Sequence, residues 1–434
     1  MKVRKLRVLA ISPRFAPSNS PEMHRLRLLI KHADNNGWTT EILAVDPDDL
    51  IAVQDGWLTK QLPMNIVISH VRISGFLRRF FGNLGITALF SLYKSGCKKL
   101  ADDKFDLVFF STTEFLVHLL GPLWGKKFNI PFCMDYQDPW VTSYYDEHPE
   151  ISRPGGNLKY YLASRLHMLA EKYVVPRCSG FLSVSERYLE DLDVRYGVNI
   201  SNIPRLVRPF PAEPAERWSE TDNPDSHFSW RYIGAGGEIF KKSSGAFFSA
   251  WEHALDLGVV HQNEITFEAL GTSYSVNGKL PAHFLDQVKN SPLYSSVKES
   301  PERLPYSEVL KILAKSSALI VFGTDDPGYT ASKIYAYLLA KRPLLAIFHE
   351  RSSVVPLMRE VGGGILVTFN DQTSMSELSA KIFRQWFSNK QYSTCVTLDM
   401  DALLPYTANV QAGEIGSWFH DVLRFYAGSK QQST

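Results

Sequence analysis

A lysine at the predicted start of a helix is the residue whose placement most strongly indicates chemistry. Within residues 328–347, apolar side chains recur at helical spacing until Pro343 stops the pattern. Either Thr330 or Ser332 is predicted to cap the helix, which places Lys333 in its first turn. A cation opposes the helix dipole there unless an anion also binds, and helix N-termini bind phosphate groups. The stretch therefore predicts a phosphate site at Ser332 and Lys333, with a solvated surface lysine as the alternative.

Two aspartates and a tryptophan follow an apolar run at 131–134 that is predicted to be a buried strand. Carboxylates at the carboxyl end of a parallel strand lie where ligands bind in doubly wound sheets. Carboxylates accept hydrogen bonds from ligand hydroxyl groups and an aromatic ring can cover an apolar ligand face, so Asp135, Asp138 and Trp140 are candidate binding residues. The alternative is a structural turn in which Asp138 caps a helix begun by Pro139.

The two halves of the chain open with the same pattern of strand, loop and helix. In the first half an apolar run at 6–11 precedes a proline-rich loop at 12–21 and a helical pattern at 23–33. The loop lacks a GxGxxG motif, which argues against a dinucleotide site there. Such an opening predicts a doubly wound, Rossmann-like α/β domain.

The loop that opens the second half is rich in glycine. Gly236 and Gly237 lie after the first predicted strand of that half, and Lys241 and Lys242 follow them. Glycines let backbone N–H groups approach a diphosphate, and either lysine would neutralise its charge. The alternative is a plain turn from strand to helix. The two halves predict two Rossmann-like domains joined by the polar, proline-containing segment 214–228.

The composition is that of an ordinary globular protein. The chain of 434 residues is 44% hydrophobic and 21% charged, and its formal net charge is +2, which argues against a global basic surface for nucleic acid. Its 4 cysteines are scattered without a CxxC pair, so neither a disulfide framework nor a zinc site is predicted and a reducing cytoplasm fits. No apolar run approaches a signal-peptide core or the roughly 20 residues of a spanning helix.

The stretch around Lys333 resembles the donor-site helix of retaining glycosyltransferases with the GT-B architecture, the family 4-like group. The matching positions are Ser332, Lys333, Tyr335, Tyr337, Leu338, Pro343, Leu345 and Ala346. Gly328 and Ala336 stand where the family has glutamates, one of which holds the nucleotide ribose. Neither carboxylate carries over to this chain, and Asp325 or Asp326 would have to substitute for one.

Three further motifs show the same resemblance. The sequence from Asp135 to Trp140 matches the D-Y-x-D-P-W motif of the family. The loop at Gly236 matches the loop that contacts the donor phosphates, without its usual arginine, and the segment with Arg303 precedes the nucleotide helix. Positions that match the acceptor-facing first loop and helix start are Pro13, Arg14, Phe15, Pro17, His24 and Arg25.

The resemblance implies a donor side and an acceptor side. The expected catalytic residues are Asp138, Asp135 and His24, although His24 has the alternative of a histidine on a helix surface. The expected acceptor-side residues are Arg14, Phe15, Thr112 and Trp140. The expected donor-binding residues are Gly236, Gly237, Lys241, Lys242, Gly271, Arg303, Leu304, Tyr329, Thr330, Ser332 and Lys333.

The implied fold is α/β and GT-B, with two facing Rossmann-like, doubly wound domains and a cleft between them. The acceptor-side domain is expected at 1–213, with a C-terminal helix at 409–434 crossing back to it, and the donor domain at 229–408. The implied reaction moves a sugar from a nucleotide-diphosphate sugar to an acceptor hydroxyl in cell-surface polysaccharide synthesis. Retention at the anomeric carbon is expected, without a cofactor or a bound metal.

Two other functions fit the same pattern. The absence of the family glutamates at Gly328 and Ala336 favours a protein that binds a nucleotide sugar or glycan, or supports a partner, without catalysis. A nucleotide-sugar 2-epimerase with the GT-B fold is the other alternative, although such enzymes normally need carboxylates and histidines around the sugar.

Residues 76–99 combine aromatic, aliphatic and basic side chains at helical spacing. Such a stretch can lie on an anionic membrane surface, and the alternative is an internal helix whose apolar face is core. The resemblance favours the membrane, because many members act on lipid-linked acceptors. We expect a cytoplasmic protein, with a glycan or lipid-linked glycan acceptor, peripheral membrane contact through 76–99 and no nucleic acid partner.

Overall fold

A computed structural model describes residues 4–73, 83–142, 146, 153, 156–216, 228–273 and 282–431. The chain forms two compact units, the first made of Met1–Pro211 with Ala408–Thr434 and the second of Ala212–Thr407. The sequence predicted changes of domain at residues 213, 229 and 409. Residues 217–227 of the predicted linker lie outside the described residues.

The first unit is built on a parallel sheet of seven strands in the order β3-β2-β1-β4-β5-β6-β7. The strands are β1 (Leu6–Ile11), β2 (Trp38–Val45), β3 (Val67–Val71), β4 (Leu107–Phe110), β5 (Phe132–Tyr136), β6 (Gly180–Ser183) and β7 (Arg205–Val207). The helices are α1 (Met23–Ala33), α2 (Gly56–Lys60), α3 (Leu84–Thr87), α4 (Leu89–Asp102), α5 (Leu120–Phe128), α6 (Asn157–Val174) and α7 (Glu186–Tyr196). Successive strands are added on one side of β1 up to β3 and on its other side from β4 onwards, so the switch point of the sheet lies between β1 and β4. In such sheets ligands bind at the loops after these two strands.

The second unit repeats this design with a parallel sheet of six strands in the order β10-β9-β8-β11-β12-β13. The strands are β8 (Ser229–Ile233), β9 (Thr266–Leu270), β10 (Val297–Ser300), β11 (Ala318–Phe322), β12 (Leu344–His349) and β13 (Ile365–Phe369). The helices are α8 (Lys241–Asp256), α9 (His283–Gln287), α10 (Tyr306–Lys315), α11 (Ile334–Leu339), α12 (Val354–Val361), α13 (Met375–Ile382) and α14 (Met400–Leu403). Here the switch point lies between β8 and β11.

The central strands β11 and β12 are almost entirely apolar because the second sheet is covered on both faces. Every residue of β11 and of β12 is buried. Aromatic rings fill much of the second core, where the ring of Trp230 lies 5.4 Å from that of Trp251 and 6.0 Å from that of Trp386 between centroids. The carboxyl ends of the strands therefore rest on a close-packed base.

The last helix, α15 (Ala408–Gln431), belongs to the first unit and packs against the end of α1 and the start of β2. Trp38 Nε1 donates a hydrogen bond to the carbonyl oxygen of Ala412 at 2.9 Å. Gly416 lies so close to the first unit that a Cβ on it would sit 2.9 Å from the carbonyl oxygen of Asn36. The sequence had predicted that this helix would cross back to the first domain.

We predict that Gly416→Ala and Gly428→Ala change stability in opposite directions, although both are the same substitution in α15. At 416 the new methyl group would press on the backbone of Asn36, and overpacking of this kind costs about 1–3 kcal/mol. At 428 nothing lies within 4 Å of the new Cβ, and alanine favours a helix over glycine by about 0.5–1 kcal/mol. Calorimetry should show a lower Tm for Gly416→Ala and a higher Tm for Gly428→Ala. A Gly416→Ala protein as stable as the wild type would contradict this packing.

Candidate functional site

The first unit gathers acidic and hydroxyl side chains where β4 and β5 end and α1 begins. Asp135 of β5 is buried, and its Oδ2 accepts hydrogen bonds from Ser111 Oγ at 3.0 Å and Gln137 Nε2 at 2.7 Å. The buried Nε of Arg25 lies 3.4 Å from the same oxygen. Burial raises the pKa of Asp135, whereas the charge of Arg25 and the two hydrogen bonds lower it. This ion pair joins α1 to β5 inside the unit.

Burial corrects several roles that the sequence predicted. Four of the predicted residues have at most 5% of their surface exposed: Asp135, Phe15, Thr112 and Trp140. The ring of Trp140 stacks on Phe115 at 5.5 Å between centroids, and its Nε1 donates to His167 Nδ1 at 2.9 Å. A ring enclosed in this way offers no face to a sugar. These four side chains support the site from below its surface.

Glu22 is the residue that sequence reasoning missed. It precedes α1 and is 3% exposed. Its Oε2 accepts hydrogen bonds from Thr112 Oγ1 at 3.0 Å, from Thr113 Oγ1 at 2.6 Å and from the N–H of Thr113 at 2.5 Å. Burial, followed by the charge of Glu114, raises the pKa of Glu22, whereas the Thr113 bonds and Arg14 lower it. The only signal in the sequence was one acid before a helix, which ordinary dipole stabilisation explains.

Asp138 is the predicted catalytic carboxylate that keeps an exposed surface, just beyond β5. Partial desolvation, followed by the charge of Glu22, raises the pKa of Asp138 to about 7. The remaining solvent contact screens part of the effect of Glu22. An accessible carboxyl group that titrates near neutral pH is suited to exchange a proton with a substrate hydroxyl.

Arg14 and His24 are half-buried and are held by neighbours in the first unit. Arg14 Nε donates to Glu114 Oε1 at 2.7 Å. His24 Nε2 lies 3.1 Å from Asn19 Oδ1, and its Nδ1 lies 3.3 Å from a terminal nitrogen of Arg27. Because an amide oxygen accepts and a guanidinium donates, these contacts favour the neutral His24 tautomer that carries its proton on Nε2. Their roles towards a ligand stay predictions.

In the second unit, Lys333 and Gly234 meet at the carboxyl end of β8. Lys333 Nζ donates to Tyr232 Oη at 2.6 Å and lies 4.2 Å and 5.7 Å from the ring centroids of Tyr232 and Phe240. Gly234 has a φ of +138°, and a Cβ on it would lie 2.5 Å from Lys333 Nζ, so the position requires glycine. Desolvation, followed by the charge of Arg303, lowers the pKa of Lys333 to about 7. A nearby anion would favour the charged amine.

The loops after β9 and β10 approach each other at the same edge of the sheet. Gly271, with a φ of +68°, follows β9, and a Cβ on it would lie 3.8 Å from Arg303 Cα and 3.9 Å from the Leu304 nitrogen. The charge of Arg303 in turn acts on Lys333. The structure thus brings together four residues that the sequence had predicted for the donor side, although they are far apart along the chain.

The glycine loop after β8 is packed against the end of β9. The N–H of Gly236 donates to the carbonyl oxygen of Thr272 at 2.7 Å, and a Cβ on Gly236 would lie 3.2 Å from the ring of Phe284. This N–H is therefore engaged within the protein, which corrects the prediction that it contacts a diphosphate. Gly237 has a φ of +145°, which also requires glycine. Its role towards a ligand stays a prediction.

The two lysines after this loop lie inside α8, which begins at Lys241. Lys242 Nζ donates to the carbonyl oxygen of Asn370 at 3.1 Å and lies 5.1 Å from the ring centroid of Phe369. Lys242 therefore stabilises the end of β13, and its role at the donor stays a prediction. Lys241 is exposed, with its Nζ 3.6 Å from Glu238 Oε2. Its part in donor binding stays a prediction.

The helix that the sequence placed after Thr330 or Ser332 begins only at Ile334. No side chain caps it, so both predicted caps are wrong. Tyr337 ties the helix to β8 instead, because its Oη accepts from the N–H of Ile233 at 2.6 Å and donates to the carbonyl oxygen of the same residue at 3.1 Å. This double contact fixes α11 against the end of β8.

Asp326 shapes the turn before α11. Its Oδ1 accepts from the N–H of Gly328 at 2.7 Å, and its carbonyl oxygen accepts from the N–H of Tyr329 at 3.1 Å. The ring of Tyr329 packs against Phe240 at 5.8 Å between centroids. Asp326 therefore holds the loop itself, and its substitution for a family glutamate stays a hypothesis.

Among the described residues, no group of three or more His, Cys, Asp or Glu side chains is placed to hold a metal ion. In the same ranges of the chain, we find no helix whose length and apolar character would let it cross a bilayer.

Solved structures match nearly the whole chain, whereas no family model and no curated protein matches it. Anabaena HepE in complex with UDP-glucose is 12% identical with a TM-score of 0.57, over 98% of this chain and 100% of that one. The trehalose-6-phosphate synthase OtsA is 12% identical with a TM-score of 0.61, over 97% and 99%. A protein assigned as a UDP-N-acetylglucosamine 2-epimerase from Listeria monocytogenes is 12% identical with a TM-score of 0.51, over 95% of both chains.

These similarities define the class of fold. Two parallel-sheet, Rossmann-like α/β domains with this coverage by HepE and OtsA make up the GT-B fold. The fold class predicted from the sequence is confirmed.

We predict that Asp138→Asn stabilises the protein above pH 7 and that the gain shrinks as the pH falls towards 4. The pKa of Asp138 rises on folding, so its contribution to stability is complete below the unfolded pKa and is lost as the pH rises through about 7. Asparagine removes this ionisation, and we expect a Tm gain of about 1–4 °C at pH 8.

In a Glu22→Gln background the gain from Asp138→Asn should be smaller, because Glu22 causes part of the pKa shift. Thermal unfolding at several pH values measures both effects. An equal effect of Asp138→Asn at pH 5 and pH 8 would mean that this carboxyl group titrates normally.

Proposed function

We propose that this protein is a glycosyltransferase that moves a sugar from a nucleotide-diphosphate sugar to an acceptor hydroxyl. The observation that carries the proposal is the cationic site at the end of β8, where Tyr232 holds Lys333 and Arg303 adds its charge. HepE, which shares the fold, was solved with UDP-glucose. A UDP-sugar is therefore the first donor class to test.

The chemistry of transfer explains why two cations belong at this site. The bond between the anomeric carbon and the diphosphate oxygen breaks, and negative charge grows on that oxygen. Lys333 is partly desolvated, so its pKa is lowered to about 7 and a diphosphate beside it restores the charged amine. Charges that are already in position where negative charge develops stabilise the transition state without reorganisation. We infer that Lys333 and Arg303 replace a metal ion in this role.

The acceptor side of the proposal rests on the first unit. Asp138 is an exposed residue whose partly desolvated carboxyl group has a pKa raised to about 7, and half-buried Arg14 and His24 belong to the same unit. A carboxylate is a good acceptor of hydrogen bonds from sugar hydroxyls. We infer that Asp138 orients the acceptor hydroxyl and takes up its proton as that oxygen attacks the anomeric carbon.

The finer parts of the proposal follow the resemblance to family 4-like enzymes. We propose retention at the anomeric carbon, an acceptor that is a glycan or lipid-linked glycan, and a role in cell-surface polysaccharide synthesis in the cytoplasm. Two specific observations favour other functions. Gly328 and Ala336 lack the family carboxylates, which favours a non-catalytic binding protein. The fold is also shared by the protein assigned as a 2-epimerase.

We predict that a panel of nucleotide sugars, starting with UDP-glucose, will give release of a nucleoside diphosphate that an acceptor extract accelerates. Chromatography with mass spectrometry separates the functions. Release of the nucleoside diphosphate indicates a transferase, an altered sugar that stays on the nucleotide indicates an epimerase, and binding without turnover indicates a binding protein.

Activity that survives EDTA supports metal independence, and NMR of the new linkage reports its configuration. Asp138→Asn should lower transfer more than donor binding.

We predict that the affinity for the nucleotide sugar falls as the pH rises above about 7, because Lys333 then loses its proton in the free protein. The affinity can fall by at most about tenfold per pH unit, because a single proton is involved. The diphosphate of a nucleotide sugar does not itself titrate in this range. Lys333→Met should weaken binding by about 10–100-fold, the loss expected for a hydrogen bond to a charged group.

Lys333→Arg is the matched control, since arginine stays charged and should remove the pH dependence. Isothermal calorimetry between pH 6 and pH 9 measures all three proteins. Equal affinity of Lys333→Met and wild type at pH 6 would exclude Lys333 from the donor site.

A further inference from the structure

One face of α6 carries bulky apolar side chains that the described part of the chain leaves uncovered. They recur at i, i+4, i+8, i+11 and i+15, so they form one line along the helix. Their exposed fractions lie between 42% and 74%. We refer to this line as the α6 stripe: Leu158, Leu162, Leu166, Leu169 and Tyr173.

The opposite face of α6 is the one that packs onto the first unit. Ala170, Glu171 and Val174 are its buried residues, and His167 accepts the hydrogen bond from Trp140 on the same side. The helix is therefore held in place by its inner face, and the stripe is not needed for that packing. Single exposed apolar side chains are normal on a protein surface, whereas a contiguous line of them marks an interaction site.

Basic side chains border the α6 stripe. Helical spacing places Arg165 and Lys172 on one side of it and Lys159 on the other, and all three are exposed. Arg177, just beyond the helix, lies over the ring of Tyr173 at 4.4 Å from its centroid. The exposed charged side chains of α6 that border the stripe are therefore all basic, as is Arg177.

The only acid of α6 does not offset this charge. Glu171 is 1% exposed, and its two oxygens accept hydrogen bonds from Arg195, each at 3.1 Å. Its carboxylate is thus neutralised inside the unit, on the face opposite to the α6 stripe.

We propose that the α6 stripe docks on an anionic lipid surface. Leucine and tyrosine side chains enter the boundary between headgroups and acyl chains, while flanking lysines and arginines pair with lipid phosphates. A second copy of this chain fits less well. A two-fold contact through the stripe would bring the same basic side chains of both copies together without an exposed acid of α6 between them.

This proposal differs from the membrane contact predicted at 76–99. Residues 76–82 of that stretch lie outside the described residues. In α4, Lys99 Nζ pairs with Glu41 Oε2 at 2.8 Å, and Gly96 packs against the ring of Trp124. Part of that basic and apolar surface is therefore used inside the unit, whereas the α6 stripe is not.

Docking through α6 would bring the acidic end of β5 close to the bilayer. The inner face of α6 contacts Trp140, which lies two residues after Asp138. The acceptor hydroxyl that we assign to Asp138 would then be presented by a molecule embedded in the membrane. This last step rests on the proposed function, whereas docking itself does not.

Flotation of the full chain with lipid vesicles, in the absence of nucleotide sugar, tests the docking. One set of vesicles is phosphatidylcholine alone, and in the other about a third of the lipid is anionic phosphatidylglycerol. We expect the wild type to float with the anionic vesicles and to be released by high salt. Leu162→Gln with Leu169→Gln should reduce binding at least tenfold. Lys159→Gln with Lys172→Gln should remove the preference for anionic lipid.

The matched control is Leu257→Gln with Leu404→Gln, two leucines of the second unit that are 58% and 55% exposed. It should bind vesicles as the wild type does. Leu169→Gln alone carries the test if the double variant on α6 has a lower Tm. A wild type that stays with neither kind of vesicle, or an α6 variant that binds normally, would overturn the proposal.

Sedimentation velocity tests whether a second copy of this chain covers the α6 stripe. A wild-type dimer that becomes monomeric in the α6 variant would overturn lipid docking in favour of a second copy. Sugar transfer to a soluble acceptor by the α6 variant is measured separately, so failure of docking and failure of the proposed transferase activity are distinguishable.

Discussion

The donor site that we propose in the second unit depends on the hydrogen bond from Lys333 to Tyr232. Tyr232 Oη accepts from the amine at 2.6 Å and donates to the carbonyl oxygen of Ala235 at 2.5 Å, so the hydroxyl has a defined direction. The amine can lie at the level of the backbone only because residue 234 is glycine. A partly desolvated cation next to Arg303 is a costly arrangement in the free protein. It becomes favourable when an anion binds, which is the physical basis of the donor site that we propose.

In the first unit, three carboxyl groups differ in burial and in the partners that stabilise their charge. Asp135 is enclosed and paired with Arg25, so it contributes structure. Glu22 is nearly as buried, but hydroxyl and backbone donors of Thr113 serve it in place of a cation. Asp138 remains at the surface and experiences the charge of Glu22. An enclosed charge that shifts the pKa of an accessible neighbour is typical of a functional site, where stability is given up for reactivity.

The helix α6 connects this acidic group with the outside of the protein. Its inner face holds the ring of Trp140, and its outer face presents leucines and basic side chains. One rigid element thus has a packing face and an interaction face. This arrangement relates the placement of Asp138 to the lipid surface that we propose for the stripe, because the two faces belong to one helix.

The sequence by itself determined the alternation of strands and helices, because apolar periodicity and loops rich in glycine or proline are local properties. The GT-B fold class followed from the resemblance of its contiguous motifs to those of family 4-like enzymes. The sequence also indicated Lys333 and Asp138 as candidate site residues, because each lies in a contiguous motif that resembles the family. Tertiary structure alone decided which polar groups are enclosed. Glu22 meets Thr113, and Lys242 meets Asn370, across long separations in the chain. Whether a side chain reaches solvent or a buried partner depends on elements that only folding brings together. Periodicity within one segment therefore cannot predict these contacts.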